Sequence, residues 1–311
     1  MNKYSFSIFT PSYNRGGYLN QVFDSLKKQT YKNFEWIVIN DGSTDNTDEI
    51  MKKIIEQSDF QIVYVAFETN KGKHIAQNYA VEIAKGELFA PLDSDDYIVP
   101  NALEIFWNEW NSISLNEKEQ YSGIGVHCMN SKGELIGDTY PNDRFVSNDL
   151  DISFKYNIKG EKWGVIRTDI MKQFKNEEVK GHFLSESTVW YRIARKYTKK
   201  LYLQKALRVY EVQNDSVTRK MKDEVDFNID SRIVADCIFM NEFYDYYLKY
   251  QFKRAIRIPV ALTYKCIVNE RPILIGQNSL FSKVKQPICK LLIIIASGYK
   301  PIWYIRNHYI K

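Results

Sequence analysis

Two hydrophobic rhythms alternate over the first hundred residues. Phe6-Ser7-Ile8-Phe9-Thr10 reads as a strand, ended by Pro11. Leu19, Val22, Phe23 and Leu26 then recur at helical spacing. Trp36-Ile37-Val38-Ile39 is apolar throughout, as a strand buried on both faces should be. Asp41-Gly42-Ser43 marks a turn, and the acid-rich Asp45–Glu49 opens a second helix. Ile62–Val65 is a third strand, and Ile75–Lys85 a third helix with Gly86 as its stop. Leu88–Leu92 is a fourth strand. Strand–helix alternation of this kind predicts an α/β fold, a mostly parallel sheet with helices on both faces. In such sheets ligands bind beyond the carboxyl ends of the strands. Thr10-Pro11-Ser12-Tyr13, Asn40-Asp41-Gly42-Ser43 and Leu92-Asp93-Ser94-Asp95-Asp96 all fall at such ends, so they should converge on one crevice.

Further along, the pattern predicts a helix over Asn101–Trp110, a polar loop over 111–120, strands at Ile124–Cys128 and Gly164–Ile166, and a helix over Ser187–Lys196. One long helix is expected over Val225–Ile258. The resulting division is 1–110, 111–225 as the second half of the same domain, and a helical C-terminal extension over 226–311.

The acidic tip of the fourth strand poses a charge problem. Two unit charges 4 Å apart at an effective dielectric of 20 interact by roughly 4 kcal/mol. A hard divalent cation, Mg²⁺ or Mn²⁺, is the simplest compensation, since such ions take carboxylate oxygens and bridge to substrate phosphates. A solvated acidic loop is the alternative.

Composition narrows the remaining classes. The four cysteines, Cys128, Cys237, Cys266 and Cys289, form no CxxC pair, which argues against structural zinc and a disulfide framework. The net charge of +5 hides an asymmetry: residues 249–311 hold 12 Lys or Arg and the single acid Glu270, and the remainder is net acidic. With no recognition motif and an acidic main body, nucleic acid is not an expected partner. The basic segment also carries Trp303, Tyr304 and the apolar run Leu291–Ala296. Six residues make only about 9 Å of helix, far short of the ~30 Å of a bilayer core. Peripheral contact with an anionic membrane is therefore expected. Packing on the main body or on a second subunit, giving a homo-oligomer, is the alternative. No signal-peptide pattern opens the chain, so a cytoplasmic location is expected.

Five ordered motifs carry a resemblance. They are Thr10-Pro11-Ser12-Tyr13-Asn14-Arg15; Val38 to Asp45; Asn70-Lys71-Gly72-Lys73 with Ala76-Gln77-Asn78; Gly86-Glu87; and Leu92-Asp93-Ser94-Asp95-Asp96. Together they resemble the inverting, nucleotide-sugar-dependent glycosyltransferases of family two, bacterial surface-glycan type, which have the GT-A (Rossmann-like) fold. The likeness is clear over about 4–110 and loose to about 220. It implies a donor-binding half over 1–110 and an acceptor-binding half over 111–225. It implies that Tyr13 and Asp41 contact the nucleoside, with Thr10, Pro11, Ser12, Arg15 and Ser43 beside them. Asn70 and Lys73 would reach the base or diphosphate. Asp93 and Ser94 would lie at the ribose, with Asp95 as main metal ligand, Asp93 shared, and Asp96 either binding metal or holding the loop.

The implied reaction moves a hexosyl or N-acetylhexosaminyl group, by default from a UDP-sugar, to a hydroxyl of a glycan or lipid-linked glycan at the inner face of the membrane. The family's base lies in an acid pair six residues before an Arg. Counting back from Arg192 gives Glu186, with Ser185 where the other acid would stand. Trp163 and His182 are implied at the acceptor, and Ser216 and Arg219 in a loop over the diphosphate. The lone acid leaves open a catalytically silent nucleotide-sugar-binding or scaffold protein. A nucleotidyltransferase is a further alternative, but the Gly-rich basic loop it needs after the first strand is absent.

Overall fold

The computed structural model describes residues 3–177, 186–210, 229–274 and 276–298. The chain divides into two compact units, residues 1–219 and 220–311.

The first unit is built on one sheet. In chain order its strands are β1 (Tyr4–Ser12), β2 (Phe34–Asn40), β3 (Gln61–Ala66), β4 (Gly86–Pro91), β5 (Tyr97–Ile98), β6 (Tyr121–Met129), β7 (Arg144–Ser147), β8 (Lys162–Arg167) and β9 (Lys199–Val209). Their spatial order is β3-β2-β1-β4-β8-β6-β9-β5, with β7 also paired to β9. The first four strands are parallel, as the alternation predicts. Beyond them antiparallel strands join the sheet. β8 inserts between β4 and β6 and is antiparallel to both, while β6 and β9 are parallel, so the sheet is mixed.

Period-two alternation sends successive side chains to opposite layers. Phe6, Ile8, Trp36 and Val38 pack with Leu19, Val22, Phe23 and Leu26 of α1 (Gly16–Lys27), Met51 and Ile54 of α2 (Thr47–Gln57) and Phe106 of α4 (Ala102–Asn111). Phe9, Ile37 and Ile39 point the other way, to Ala76 and Ala80 of α3 (Lys73–Ile83), Ile170 of α6 (Thr168–Met171) and Val189 of α7 (Ser187–Lys196). A one-turn helix, α5 (Leu115–Lys118), interrupts the predicted polar loop.

Two boundaries differ from expectation. β1 runs through Pro11, which pairs in register with Ile39. Leu92 N–H donates to Phe9 C=O, and Pro11, two residues on, faces the same side, where the β1–β4 register has already ended at Phe9. The missing proline N–H therefore has no ladder to break. Gly86 is not a helix stop but the first residue of β4. A Cβ there would lie 2.3 Å from Ser7 N, so glycine permits the two strands to approach.

The second unit is helical: α8 (Ile229–Glu242), α9 (Tyr244–Tyr250), α10 (Phe252–Val268), α11 (Leu280–Lys283) and α12 (Pro287–Ser297). The single helix expected over Val225–Ile258 is broken at Phe243 and Gln251, whose φ values of −126° and −140° leave the helical range. Residues 225–228 lie outside the described residues. Pro259 inside α10 removes the N–H that Ala255 C=O would receive. Tyr244 O–H donates to that carbonyl instead, at 3.0 Å. The break before α9 thus supplies the donor that the proline withholds. α10 also packs against α12. Among the described residues, no helix is long and apolar enough to cross a membrane.

Candidate active site

The carboxyl ends of β1, β2 and β4 do converge. The β1 and β2 loops are tied together first. Asp41 N–H donates to Ser12 C=O (2.8 Å), Asn14 N–H to Ser43 Oγ (2.9 Å), Thr44 N–H to Asn14 Oδ1 (2.8 Å) and Ser43 N–H to Asn40 Oδ1 (2.9 Å). Asn14 holds φ of 51°, a left-handed conformation that asparagine tolerates better than most residues. Tyr13 is left at the tip, exposed.

Asp41 is buried and accepts from Lys71 N–H and Gly72 N–H, both at 2.8 Å. Burial raises its carboxyl above the usual range, and these two N–H bonds oppose that shift. Asp41 thereby fixes the turn that begins α3. Gly42 packs under the same turn at φ of 74°, where a Cβ would meet the Thr69 carbonyl carbon at 2.5 Å.

The acidic tip is split by the alternation of the backbone. Ser94 and Asp96 are buried, whereas Asp93 and Asp95 are half-buried. Each acid has its own cation. Arg15 pairs with Asp95. Lys73, the first residue of α3, lies 2.5 Å from Asp93 and 2.9 Å from Glu186. Arg208 of β9 lies 3.3 Å from Asp96, whose side chain is wholly buried. The charge problem posed by the sequence is met within the chain by three cations from three distant segments.

Burial alone would raise the Asp93 carboxyl. Lys73, followed by Arg208 and Arg15, outweighs it and holds the group below the usual carboxylate range. Lys73 is pushed the opposite way. Burial disfavours its charge, but Asp93 and Glu186 more than offset this, and its ammonium is held above its ordinary value. Glu186 stands at the residue before α7, its side chain making no capping bond to the helix.

Several expected site residues do other work. Thr10 is fully buried and accepts the Trp36 indole N–H at 2.9 Å. It supports the sheet rather than facing the crevice. Trp163, expected to stack on an acceptor sugar, is buried, donates its N–H to Pro91 C=O at 2.6 Å and packs edge-on against Phe106. An indole so placed presents no face to a ligand. Asp96 is likewise turned to Arg208 and away from solvent, which suits a loop-holding residue and not a metal ligand. Pro11 is half-buried in β1, Ser12 buried at its end, and Asn70 exposed on the turn before α3. Ser12 Oγ has no hydrogen-bond partner among the described residues. His182, Ser216 and Arg219 lie outside the described residues, as do Trp303 and Tyr304.

Arg208 and Asn14 are the residues that motif reading passed over. A signal for Arg208 was present: a lone cation in the apolar run Ala206-Leu207-Arg208-Val209 needs a buried partner. Asn78, in contrast, makes the supporting bonds its place in a helix suggests. Its amide receives from Asn176 N–H (2.8 Å) and donates to Asn176 C=O (2.9 Å).

A divalent metal fits the donor set in a limited form. Asp93 and Asp95 present hard carboxylate oxygens on the crevice side, and Mg²⁺-like ions are commonly held by one or two carboxylates plus substrate phosphates. Among the described residues, no group of three His, Cys, Asp or Glu side chains forms a protein cage for an ion.

Comparison with known proteins finds glycosyltransferases. Residues 7–115 match the model of glycosyl transferase family 2. This segment is thus similar to family 2 glycosyltransferases, and the sheet that carries it has the GT-A fold. An uncharacterized glycosyltransferase of Rickettsia typhi is 36% identical over 147 residues, 47% of this chain and 44% of that protein. The chain thus spans less than half the length of that relative. GalNAc(5)-diNAcBac-PP-undecaprenol beta-1,3-glucosyltransferase of Campylobacter jejuni is 28% identical over 221 residues, 68% of this chain and 66% of that one. The structure of S. aureus TarS residues 1–349 in complex with UDP-GlcNAc superposes with a TM-score of 0.57 at 20% identity, covering 95% of this chain and 80% of that one.

Proposed function

We propose that the protein is an inverting glycosyltransferase that moves a hexosyl or N-acetylhexosaminyl group from a nucleotide-diphosphate sugar to a hydroxyl of a glycan or lipid-linked glycan. The observation that carries this reading is the meeting of Asp93, Asp95, Lys73, Arg15 and Glu186 at the carboxyl ends of the parallel strands. UDP is the proposed carrier, supported by the UDP-sugar bound to TarS. A lipid-linked acceptor is supported by the name of the Campylobacter relative, and the proposed place of the reaction is the cytoplasmic face of the membrane.

Tyr13 offers an exposed ring to the base, and Asp41 with the β1–β2 clamp orders the floor beneath it. Asp93 and Asp95 would hold Mg²⁺ or Mn²⁺, which when bound supplies Lewis-acid stabilisation to the leaving diphosphate. Arg15 and Lys73 add positive charge on the same side. Glu186 is the base: its carboxylate takes the proton from the acceptor hydroxyl as that oxygen bonds to the anomeric carbon. The bond from that carbon to the diphosphate breaks, and nucleoside diphosphate departs with the electron pair. Attack opposite the leaving group inverts the anomeric centre.

A thermal-shift screen of nucleoside diphosphates with and without Mn²⁺, followed by transfer or hydrolysis assays of the matching sugar nucleotide, tests the reading. Stabilisation by UDP with Mn²⁺, and turnover lost in Asp95→Ala, is expected. Full turnover in that variant would remove the assignment.

A further inference from the structure

The helical unit carries a surface that sugar transfer leaves unexplained. On α10, Phe252, Ile256, Val260, Tyr264 and Val268 are each four residues apart and all exposed, Phe252 at 60%. Spacing of four places them along one ridge of the helix. The buried residues of α10, among them Ala255, Leu262 and Cys266, follow a separate line. α12 behaves similarly. Ile288, Leu291, Ile294 and Ile295 are exposed, whereas Cys289, Ile293 and Ala296 are buried. A helix that is apolar on every side is ordinarily buried on every side, yet α12 has one face covered and the other open. Isolated exposed apolar residues need no explanation, but nine on two helices that pack together do.

The charges around this surface select its occupant. Lys253, Arg254 and Arg257 lie in the first turns of α10, Lys283 and Lys285 precede α12, and Lys290 lies within it. From Lys249 to Ser297 the one acid is Glu270. A second copy of so basic a surface would meet like charge, which disfavours a symmetric pair. An anionic bilayer surface supplies both the apolar depth and the opposite charge. α12 has 11 residues, roughly 16 Å of helix, too short to span and suited to lying in the plane. A cavity of about 280 Å³ in this unit has the same character: Ile233, Cys266 and Leu280 line it together with Arg271 and Lys283.

We propose that the exposed ridges of α10 and α12 dock the protein on an anionic lipid bilayer, with their apolar side chains among the acyl chains and the flanking lysines and arginines at the headgroups. This agrees with a lipid-linked acceptor but rests on separate observations. It also narrows the membrane contact expected of the basic segment 249–311 to two described helices within it.

The test is co-sedimentation of the full chain with phosphatidylcholine vesicles, alone or with about one quarter phosphatidylglycerol. Binding to the anionic vesicles and little to the neutral ones is expected, with added salt weakening it. The triple charge reversal Lys253→Glu, Arg254→Glu, Arg257→Glu should weaken binding about 100-fold or more, and Ile256→Ser with Leu291→Ser by about tenfold or more. Wild-type protein that stays in the supernatant with anionic vesicles would overturn the proposal, whatever the variants do. So would a dimer, seen by sedimentation velocity, that the serine substitutions dissolve while vesicle binding is unchanged. UDP-induced thermal stabilisation, read on the same samples, reports on the donor site separately.

Discussion

Lys73 Nζ stands 2.9 Å from Glu186 Oε1 while holding Asp93 at 2.5 Å, so a single ammonium joins the nucleotide side of the crevice to the start of α7. Opposite charges this close favour the charged ammonium of Lys73. Before donor binds, the proposed base is thus occupied by the cation that the diphosphate would also attract.

Replacing that cation should therefore affect both substrates. Lys73→Met is expected to lower kcat/KM about 100-fold, as loss of one preorganised charge contact does. Lys73→Arg should recover part of it. Steady-state kinetics against donor and against acceptor check this, and an unchanged acceptor dependence would dismiss the bridge as incidental.

Asp95 and Asp96 are neighbours with opposite expected phenotypes. Asp95→Ala should reduce turnover about 100-fold or more while leaving the melting temperature within a few degrees. Asp96→Ala removes the buried partner of Arg208, leaving it Glu161 at 3.8 Å, and should cost about 3 kcal/mol of stability. Chemical denaturation of the two variants separates them. Equal stability would show that the Asp96–Arg208 pair has no structural weight.

Trp163→Phe removes the indole donor to Pro91 C=O. The expected cost is about 1–2 kcal/mol of stability, with acceptor KM unchanged. A selective rise in acceptor KM in a variant of normal stability would return Trp163 to the sugar site.

His127 gives a pH dependence. It is buried, its Nε2 lies 2.9 Å from Gln204 Oε1, and its ring stacks on Tyr140 at 4.1 Å. Burial holds its pKa below the ordinary 6.5. The unfolded chain therefore binds the proton more readily than the folded one. Stability from this group is present above pH 6.5 and is lost as pH falls below it, by at most about 1.4 kcal/mol per pH unit. Melting temperatures at pH 7.5 and 5.0 should differ less in His127→Gln than in wild type. An identical decline in both would assign the effect to other groups.

Legibility in the sequence followed the range of the interactions. The four parallel strands and their helices were readable because each is fixed by local periodicity: Trp36–Ile39 could only be a two-sided strand. The antiparallel insertion of β8 was not readable, since nothing within Lys162–Arg167 encodes which neighbour it joins. At the crevice, the family-like motifs singled out Arg15, Asp41, Lys73, Asp93 and Asp95. They could not tell which of adjacent acids faces outward, because that depends on the half-turn of one loop, and they assigned Trp163 by chemical type where burial decides. Arg208, remote in sequence from the acid it neutralises, had no local partner to announce it.

The pairing of Asp93, Asp95, Asp96 and Glu186 with Arg15, Lys73 and Arg208 has a further consequence. Among the described residues, these four carboxylates face three cations, a set that carries net negative charge before any ligand arrives. A nucleotide diphosphate brings more of the same sign into a confined space. On the proposed function, a divalent ion would be a condition of entry for the donor as well as an aid to its departure. Its omission should weaken nucleotide affinity itself, a dependence that equilibrium titration with UDP in the presence of a chelator would register without any turnover.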